Sequence, residues 1–290
     1  MLEAPQDEVL RLVRNKQILD SVVLAQAKVL LERSRTSRPD IWSEPTPLVT
    51  VRICTFNRPA LLVERAIASV LRQTYTNFEL LIIGDHASPE TGIALSRIKD
   101  PRVRYVNLPE RPKYPKFPRF FWSSAGAYPA YLAYDLARGD WMTFLDDDDE
   151  YTDDHIEVLL TEARRHRYEF VYGVMAAEGK NGTWSRIGTG HLARGKICSG
   201  SVLFSRRLFG VRADPFCWIY DEPGDWLVWS QMAQIGAHMG FVDHIVGKHY
   251  LEYSMIDESE RQMLFERRAT PEEFLADLEH CGGMHLMNLA

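Results

Sequence analysis

Cysteine is scarce in this 290-residue chain, and Cys54, Cys198, Cys217 and Cys281 form no C-x-x-C pair. A zinc site, a redox dithiol and a disulfide scaffold therefore have no sequence support, and free thiols in a reducing cytosol are expected. Long apolar runs are also missing. Segments such as Leu80–Ile83 and Phe170–Ala177 fall far short of the ~18 residues that span a bilayer. No charged, apolar and small-residue succession opens the chain, so a secretory leader is not expected and the reading is cytoplasmic. Neither G-x-x-x-x-G-K-[ST] nor G-x-G-x-x-G occurs, which removes two common nucleotide fingerprints. No internal repeat is found.

Excess charge of one sign is lacking too, except at one place. Lys and Arg number 34 against 40 Asp and Glu, a net charge of −6. Five of those acids stand in a row at Asp146–Glu150, and the remainder is nearly balanced at 34 against 35. No nucleic-acid partner is implied. With 46% hydrophobic and 26% charged residues the chain is globular, and the acidic run is its main electrostatic feature.

Residues 1–46 differ from the rest of the chain. Val9, Leu12, Leu19, Val23 and Leu30 recur at helical spacing, predicting one or two amphipathic helices, and the Pro-rich stretch to Pro47 reads as a linker. The apolar face of this arm is expected to pack on its own domain; an oligomer contact or a peripheral membrane surface are the alternatives. From Leu48 onward, strands alternate with helices. Strands are predicted at Leu48–Cys54, Phe78–Gly84, Val103–Leu108, Trp141–Leu145 and Glu169–Met175. Helices are predicted after Asn57, which could cap, at Ala125–Arg138 and at Thr152–Arg167. This alternation predicts an α/β fold with a mostly parallel sheet covered on both faces. Gly179–Lys196 reads as a long loop. Ser199–Ser205 and Gly240–Val246 read as strands, and Asp225–Ile235 as a helix. One or two polar helices are expected over 256–290, with Pro271 opening the second. The division is an arm and linker at 1–46, a core domain at 47–252 and a helical tail at 253–290.

Ligands of open parallel sheets bind beyond the carboxyl ends of the strands. The first strand ends in Cys54–Arg58, the second in Gly84–Ser88 and the fourth in Asp146–Glu150, so polar groups converge on one edge. In an extended segment Asp146 and Asp148 would point the same way, and paired carboxylates with oxygen-only donors suit Mg²⁺ or Mn²⁺. Asp153 and Asp154 fit instead the N-terminus of the following helix. The segment Arg111–Trp122 mixes cations, prolines and aromatics, and fits either a contact with phosphate or an anionic acceptor, or a solvated loop.

The segments Val49–Pro59, Ala68–Glu79 and Phe144–Glu150, in that order, resemble family-2 glycosyltransferases over roughly residues 47 to 250. The resemblance implies a GT-A fold and an inverting transfer of sugar from a nucleotide-diphosphate sugar to a carbohydrate or other hydroxyl acceptor. A UDP-sugar is favoured as donor, with GDP- and dTDP-sugars as alternatives. It assigns Asp85 to the nucleotide and Asp146 and Asp148 to Mn²⁺ or Mg²⁺ on the donor diphosphate. Asp225, ahead of Trp226 and Trp229, becomes the catalytic base. Thr55, Asn57, Arg58 and Asp147 are further expected donor contacts. His249 is expected as an additional metal ligand, with His244 as the rival. Asp221 and Glu222 are rival bases. Three positions depart from the family pattern. Gly84-Asp85 and Gly224-Asp225 each replace an acidic pair, and Ala130-Tyr131 replaces Arg-Asn. A non-catalytic nucleotide- or metal-binding relative and a nucleotidyltransferase are the alternative functions.

Overall fold

The computed structural model describes residues 5–251 and 266–288. Residues 1–4 of the arm, together with 252–265 and 289–290, lie outside the described residues, and with them the first part of the expected helical tail.

Four strands, β1 (Val49–Thr55), β2 (Phe78–Gly84), β3 (Val103–Asn107) and β4 (Trp141–Asp146), run parallel in the order β3-β2-β1-β4. β1, β2 and β4 alternate their side chains between two buried faces and are largely apolar, whereas the edge strand β3 is only partly buried. Val49, Val51 and Ile53 enter a core with Leu62, Ile67, Leu80, Ile82, Ile156 and Leu159. The opposite face packs Met142, Phe144, Phe170, Phe204 and Trp229. Register pairs Thr55 with Gly84 and Cys54 with Asp146, which brings the three polar strand ends level.

The sheet then becomes mixed. Antiparallel β8 (Val202–Ser205) lies between β4 and β6 (Phe170–Glu178), and β9 (Met239–His249) runs parallel to β6. The two-residue β5 (Glu150–Tyr151) pairs antiparallel with β9, matching Glu150 to Lys248. That pairing returns the end of β9 to the acidic run. A short strand, β7 (Trp184–Ile187), pairs with β6 inside the stretch expected to be a loop.

The arm is one continuous 33-residue helix, Pro5–Ser37, because no helix-breaking residue interrupts it. Leu12, Ala27 and Leu31 are buried, and Lys16 bonds Asp20 and Asp214 at 2.5 and 2.6 Å. The expected packing on its own domain is found at Leu12, with Val9 and Leu19 partly covered, but Val23 and Leu30 of the expected face are about half exposed. A second row, Ile18, Val22 and Val29, faces outward about half exposed. At the other end of the chain, Pro271–His280 is capped by Thr270 and Glu273 in a reciprocal pair. Its Asp277 accepts the Lys116 and Phe117 amides at 2.8 and 2.9 Å. No helix among the described residues is long and apolar enough to cross a membrane.

Two local expectations are corrected. Asn57 does not cap the helix that starts at Pro59: Arg58 holds the cap position without a side-chain bond, and Asn57 Oδ1 accepts the Ser88 amide at 2.9 Å. The segment Arg111–Trp122 is not wholly a loop. Pro118 opens a short helix, Pro118–Ser124, and Phe117 and Phe120 bury against Trp218 and Phe274.

Candidate active site

Beyond Asp146 the chain turns, with the Asp149 amide donating to the Asp146 carbonyl at 3.2 Å. Strand alternation therefore ends at Asp146, and the neighbouring carboxylates take separate partners. Asp146 is exposed and accepts Ser199 Oγ at 2.9 Å. Asp147 is buried and accepts Thr55 Oγ1 at 2.7 Å, with Arg58 at 3.4 Å. Asp148 is paired with Arg58, and its carbonyl accepts Arg65 Nη1 at 2.5 Å. Asp149, fully buried, accepts the Tyr250 amide and His249 Nδ1, each at 3.0 Å. The expectation that Asp146 and Asp148 share one side is thus not met by alternation.

Charge is crowded here. Burial pushes the Asp147 and Asp149 carboxyls up to about 6, and it raises Asp148 as well; the negative charge of Asp146 adds to each. His249 moves the other way, up to about 9, held protonated first by its hydrogen bond to Asp149. Oxygen donors gathered at this cost in repulsion fit a hard divalent cation, which would relieve it. Among the described residues no three His, Cys, Asp or Glu side chains stand ready as a ligand set. Asp146 and His249 open on the same space, and Asp148 adjoins them.

That space is a cavity of about 480 Å³, lined by Arg52, Asp146, Ser199, Asp225, Trp226 and His249 among others. Asp225 sits in the first turn of the helix Gly224–Gln234, behind Pro223 at the cap position, and its Oδ1 accepts the Trp226 amide at 2.7 Å. Burial pushes its carboxyl up to about 6, with the charge of Asp146 adding to the effect. The rival acids are engaged. Asp221 is bound by Arg119, with one contact at 2.9 Å, and by Arg268, while Glu222 pairs with Arg194 at 3.0 Å. Of the three, Asp225 is the carboxylate that lines the cavity without a cation bonded to it.

Asp85 lies one residue past β2, tied to β1 by its amide bond to the Thr55 carbonyl at 2.8 Å. Its carboxylate is buried and raised by that burial, against the nearby Tyr114 hydroxyl and Arg111, which pull it down; among the described residues Oδ1 makes no hydrogen bond of its own, and Arg111 Nε lies 3.5 Å from Oδ2. A neighbouring hollow of about 560 Å³ is lined by Phe56, Asn57, His86, Ser88, Asn107 and Arg111. Arg111 stacks on Phe56 at 3.8 Å, so this residue of the Arg111–Trp122 segment does reach the strand ends. His244 does not: it turns away to Asp154 at 3.0 Å.

Two departures noted in the sequence sit in confined places, Gly84 more so than Gly224. A side chain at Gly84 would put its Cβ 2.3 Å from Asn107 Oδ1, and one at Gly224 would lie 3.1 Å from the Ser123 carbonyl oxygen. Residues that the strand-end pattern missed also line the cavity, namely Arg52, Ser199 and Trp122. Trp122 ends the Arg111–Trp122 segment already singled out, Arg52 is a lone charge inside an apolar strand, and Ser199 has no sequence signal.

A sheet whose polar ends gather at the carboxyl ends of β1, β2 and β4, and which continues into antiparallel β8 and β5, is the GT-A glycosyltransferase fold. TarS 1–349 from S. aureus in complex with UDP-GlcNAc superposes with a TM-score of 0.59 at 13% identity, covering 79% of this chain and 64% of that one. The mannosyltransferase PcManGT from Pyrobaculum calidifontis, in complex with GDP-Man and Mn²⁺, gives 0.55 at 14% identity, covering 96% and 82%. Residues 50–114 and 126–220 match the family described as Glycosyl transferase family 2, and the chain belongs to that family. Asp225 and His249 lie beyond the matched stretch.

Two curated relatives are similar over shorter lengths. The Escherichia coli UDP-Glc:alpha-D-GlcNAc-diphosphoundecaprenol beta-1,3-glucosyltransferase WfgD is 31% identical over 126 residues, 43% of this chain and 45% of the relative. The Campylobacter jejuni GalNAc(5)-diNAcBac-PP-undecaprenol beta-1,3-glucosyltransferase is 30% identical over 145 residues, 48% and 41%. The match therefore spans less than half the length of each relative.

Proposed function

We propose that this chain is a metal-dependent inverting glycosyltransferase that moves a sugar from a nucleotide-diphosphate sugar to an acceptor hydroxyl. The observation that carries the reading is one cavity wall shared by Asp146, His249 and Asp225 at the strand ends, next to the buried, unpartnered oxygen of Asp85. Asp85 takes a hydrogen bond from the nucleotide base or ribose in the adjoining hollow. Asp146, Asp148 and His249 are the residues that would hold Mn²⁺ or Mg²⁺. When bound, the cation supplies Lewis-acid relief of charge on the departing diphosphate. Thr55 and Arg58 fix Asp147 and Asp148, and so fix the turn that presents Asp146.

Asp225 accepts the proton of the acceptor hydroxyl. The hydroxyl oxygen then bonds to the anomeric carbon from the face opposite the diphosphate. The bond from that carbon to the diphosphate oxygen breaks, and its electron pair leaves with the diphosphate. A single displacement of this kind inverts the centre. The relatives named for UDP-Glc and undecaprenol-linked substrates favour a lipid-linked glycan as acceptor.

The test is incubation with Mn²⁺ and UDP-, GDP- and dTDP-sugars, with the released phosphate species identified. Nucleoside diphosphate released in step with a new glycoside supports the proposal. Pyrophosphate would point to a nucleotidyltransferase, and binding without turnover to a non-catalytic relative.

A further inference from the structure

Arg52 is the anomaly of β1. It stands between Val51 and Ile53 in the middle of a buried strand, with 7% of its surface exposed. Its guanidinium lies flat on the Phe144 ring at 3.7 Å, and Nη1 reaches Cys54 Sγ at 3.1 Å. Nε is buried and has no hydrogen-bond partner among the described residues. The carboxylates of Asp146 and Asp225 act on it across space, and no ion pair to Arg52 forms among the described residues. The Nε atoms of Arg207 and Arg104 are likewise unpartnered among the described residues, but each of those guanidiniums has a carboxylate. Arg207 pairs with Glu169 at 3.4 Å, and Arg104 with Glu79 at 3.2 Å.

A buried charge without a paired anion is expensive, and a thiol is a poor substitute for a carboxylate. Arg52 faces the same 480 Å³ cavity as Asp146 and Asp225, and the wall contributed by Ala127 and Ala130 brings no charge of its own. A planar fork of donors that is already stacked and rigid is suited to an oxyanion arriving with a ligand. We infer that Arg52 is an anion-recognition residue, its guanidinium binding an anionic oxygen group of the substrate that fills this cavity. Two sources carry that chemistry: the diphosphate of the donor, and a carboxylate on the transferred sugar. The inference rests on the glycosyltransferase reading for the identity of the ligand, though not for the binding of an anion.

The experiment is calorimetric titration of the full chain and of Arg52→Met with inorganic pyrophosphate, UDP, UDP-glucose and UDP-glucuronate at fixed low salt. Loss of a charge-assisted contact weakens binding by about 10- to 100-fold. An equal loss for all four probes assigns the diphosphate. A loss confined to UDP-glucuronate, with wild type preferring it to UDP-glucose, assigns the carboxylate. Unchanged affinities overturn the inference and leave Arg52 as a counter-charge to Asp146 and Asp225. If wild type binds pyrophosphate but no nucleotide, the glycosyltransferase reading fails while the Arg52 comparison still decides; binding of none of the four overturns both. Should Arg52→Met not fold, Arg52→Lys keeps the charge without the fork. An intermediate loss of about 3- to 10-fold is then expected, and an unchanged affinity overturns the inference.

Discussion

Asp149 and His249, 100 residues apart in the chain, meet at 3.0 Å and tie the acidic turn to the end of β9. A carboxylate can only accept, so His249 Nδ1 donates and Nε2 is the nitrogen left for a metal. The bond that orients the ring also raises its pKa to about 9. A cation must therefore displace a proton at neutral pH. Mn²⁺ affinity should rise roughly tenfold per pH unit between 6.5 and 8.5, with one proton released, as read by calorimetry in buffers of differing ionisation enthalpy. In Asp149→Asn the slope should flatten, because the histidine falls back toward its ordinary value. A wild-type affinity that ignores pH would remove His249 from the ligand set.

Asp225→Asn keeps the shape of the first helical turn and removes the base. Donor affinity should stay within about twofold of wild type, while transfer falls by ~10²–10⁴. Because burial holds the carboxyl at about 6, wild-type kcat/KM at saturating Mn²⁺ should rise with pH up to that value and level off above it. The variant should show no such step. Near-normal turnover in Asp225→Asn would return the role of base to Asp221 or Glu222.

The acidic run, the strand ends and the helical arm were legible because each rests on a pattern within a few residues. Apolar strands that finish in polar clusters identify themselves. What was not legible depends on chain reversal or on distant partners. Alternation placed Asp146 with Asp148, but the turn after Asp146 hands Asp148 to Arg58. Asn57 has the chemistry of a cap, yet the Ser88 amide, 31 residues on, takes its oxygen. Nothing local in the polar stretch 179–196 reveals β7, since its pairing surface is the far end of β6. Asp225 also has the chemistry of a helix cap, and only the packed structure puts Pro223 in that position instead.

Glu169 anchors the arm. Its carboxylate is almost wholly buried and accepts Arg35 at 2.6 and 2.9 Å, the Arg207 guanidinium at 3.4 Å and the His238 amide at 3.1 Å. Burial alone would raise this carboxyl, but the Arg35 bonds, the His238 amide and the two cations outweigh it and hold it below the ordinary value. The stability it provides is present above the unfolded carboxylate range near 4.5 and is lost as pH falls through the lower folded value. Arg35→Ala should destabilise by at most about 3 kcal/mol, since Arg207 remains. It should also shift the acid unfolding midpoint upward. Circular dichroism melts between pH 3 and 7 measure both effects.

Gly84→Ala should disturb the hollow lined by Phe56, Asn107 and Arg111 from beneath. The new methyl would displace Asn107, whose amide clamps Ala87 through bonds of 2.8 and 2.9 Å. A loss of roughly 1–3 kcal/mol is expected from the overpacking, together with weaker nucleotide binding. A melt and a UDP titration unchanged from wild type would mean that Asn107 has room to move.

Asn15, on the buried face of the first helix, donates to the Leu286 carbonyl at 2.9 Å, a contact that closes a span of 271 residues. On the ribosome these two residues are made about 15–50 s apart at ordinary synthesis rates of ~5–20 residues per second. A 33-residue helix can hold partial structure by itself, so the arm emerges with a shape but without most of its seat. During that interval Leu12 has no Leu278 or Leu286 to cover it. Docking of the arm thus waits on residues made well after it, so the helix spends part of synthesis uncovered.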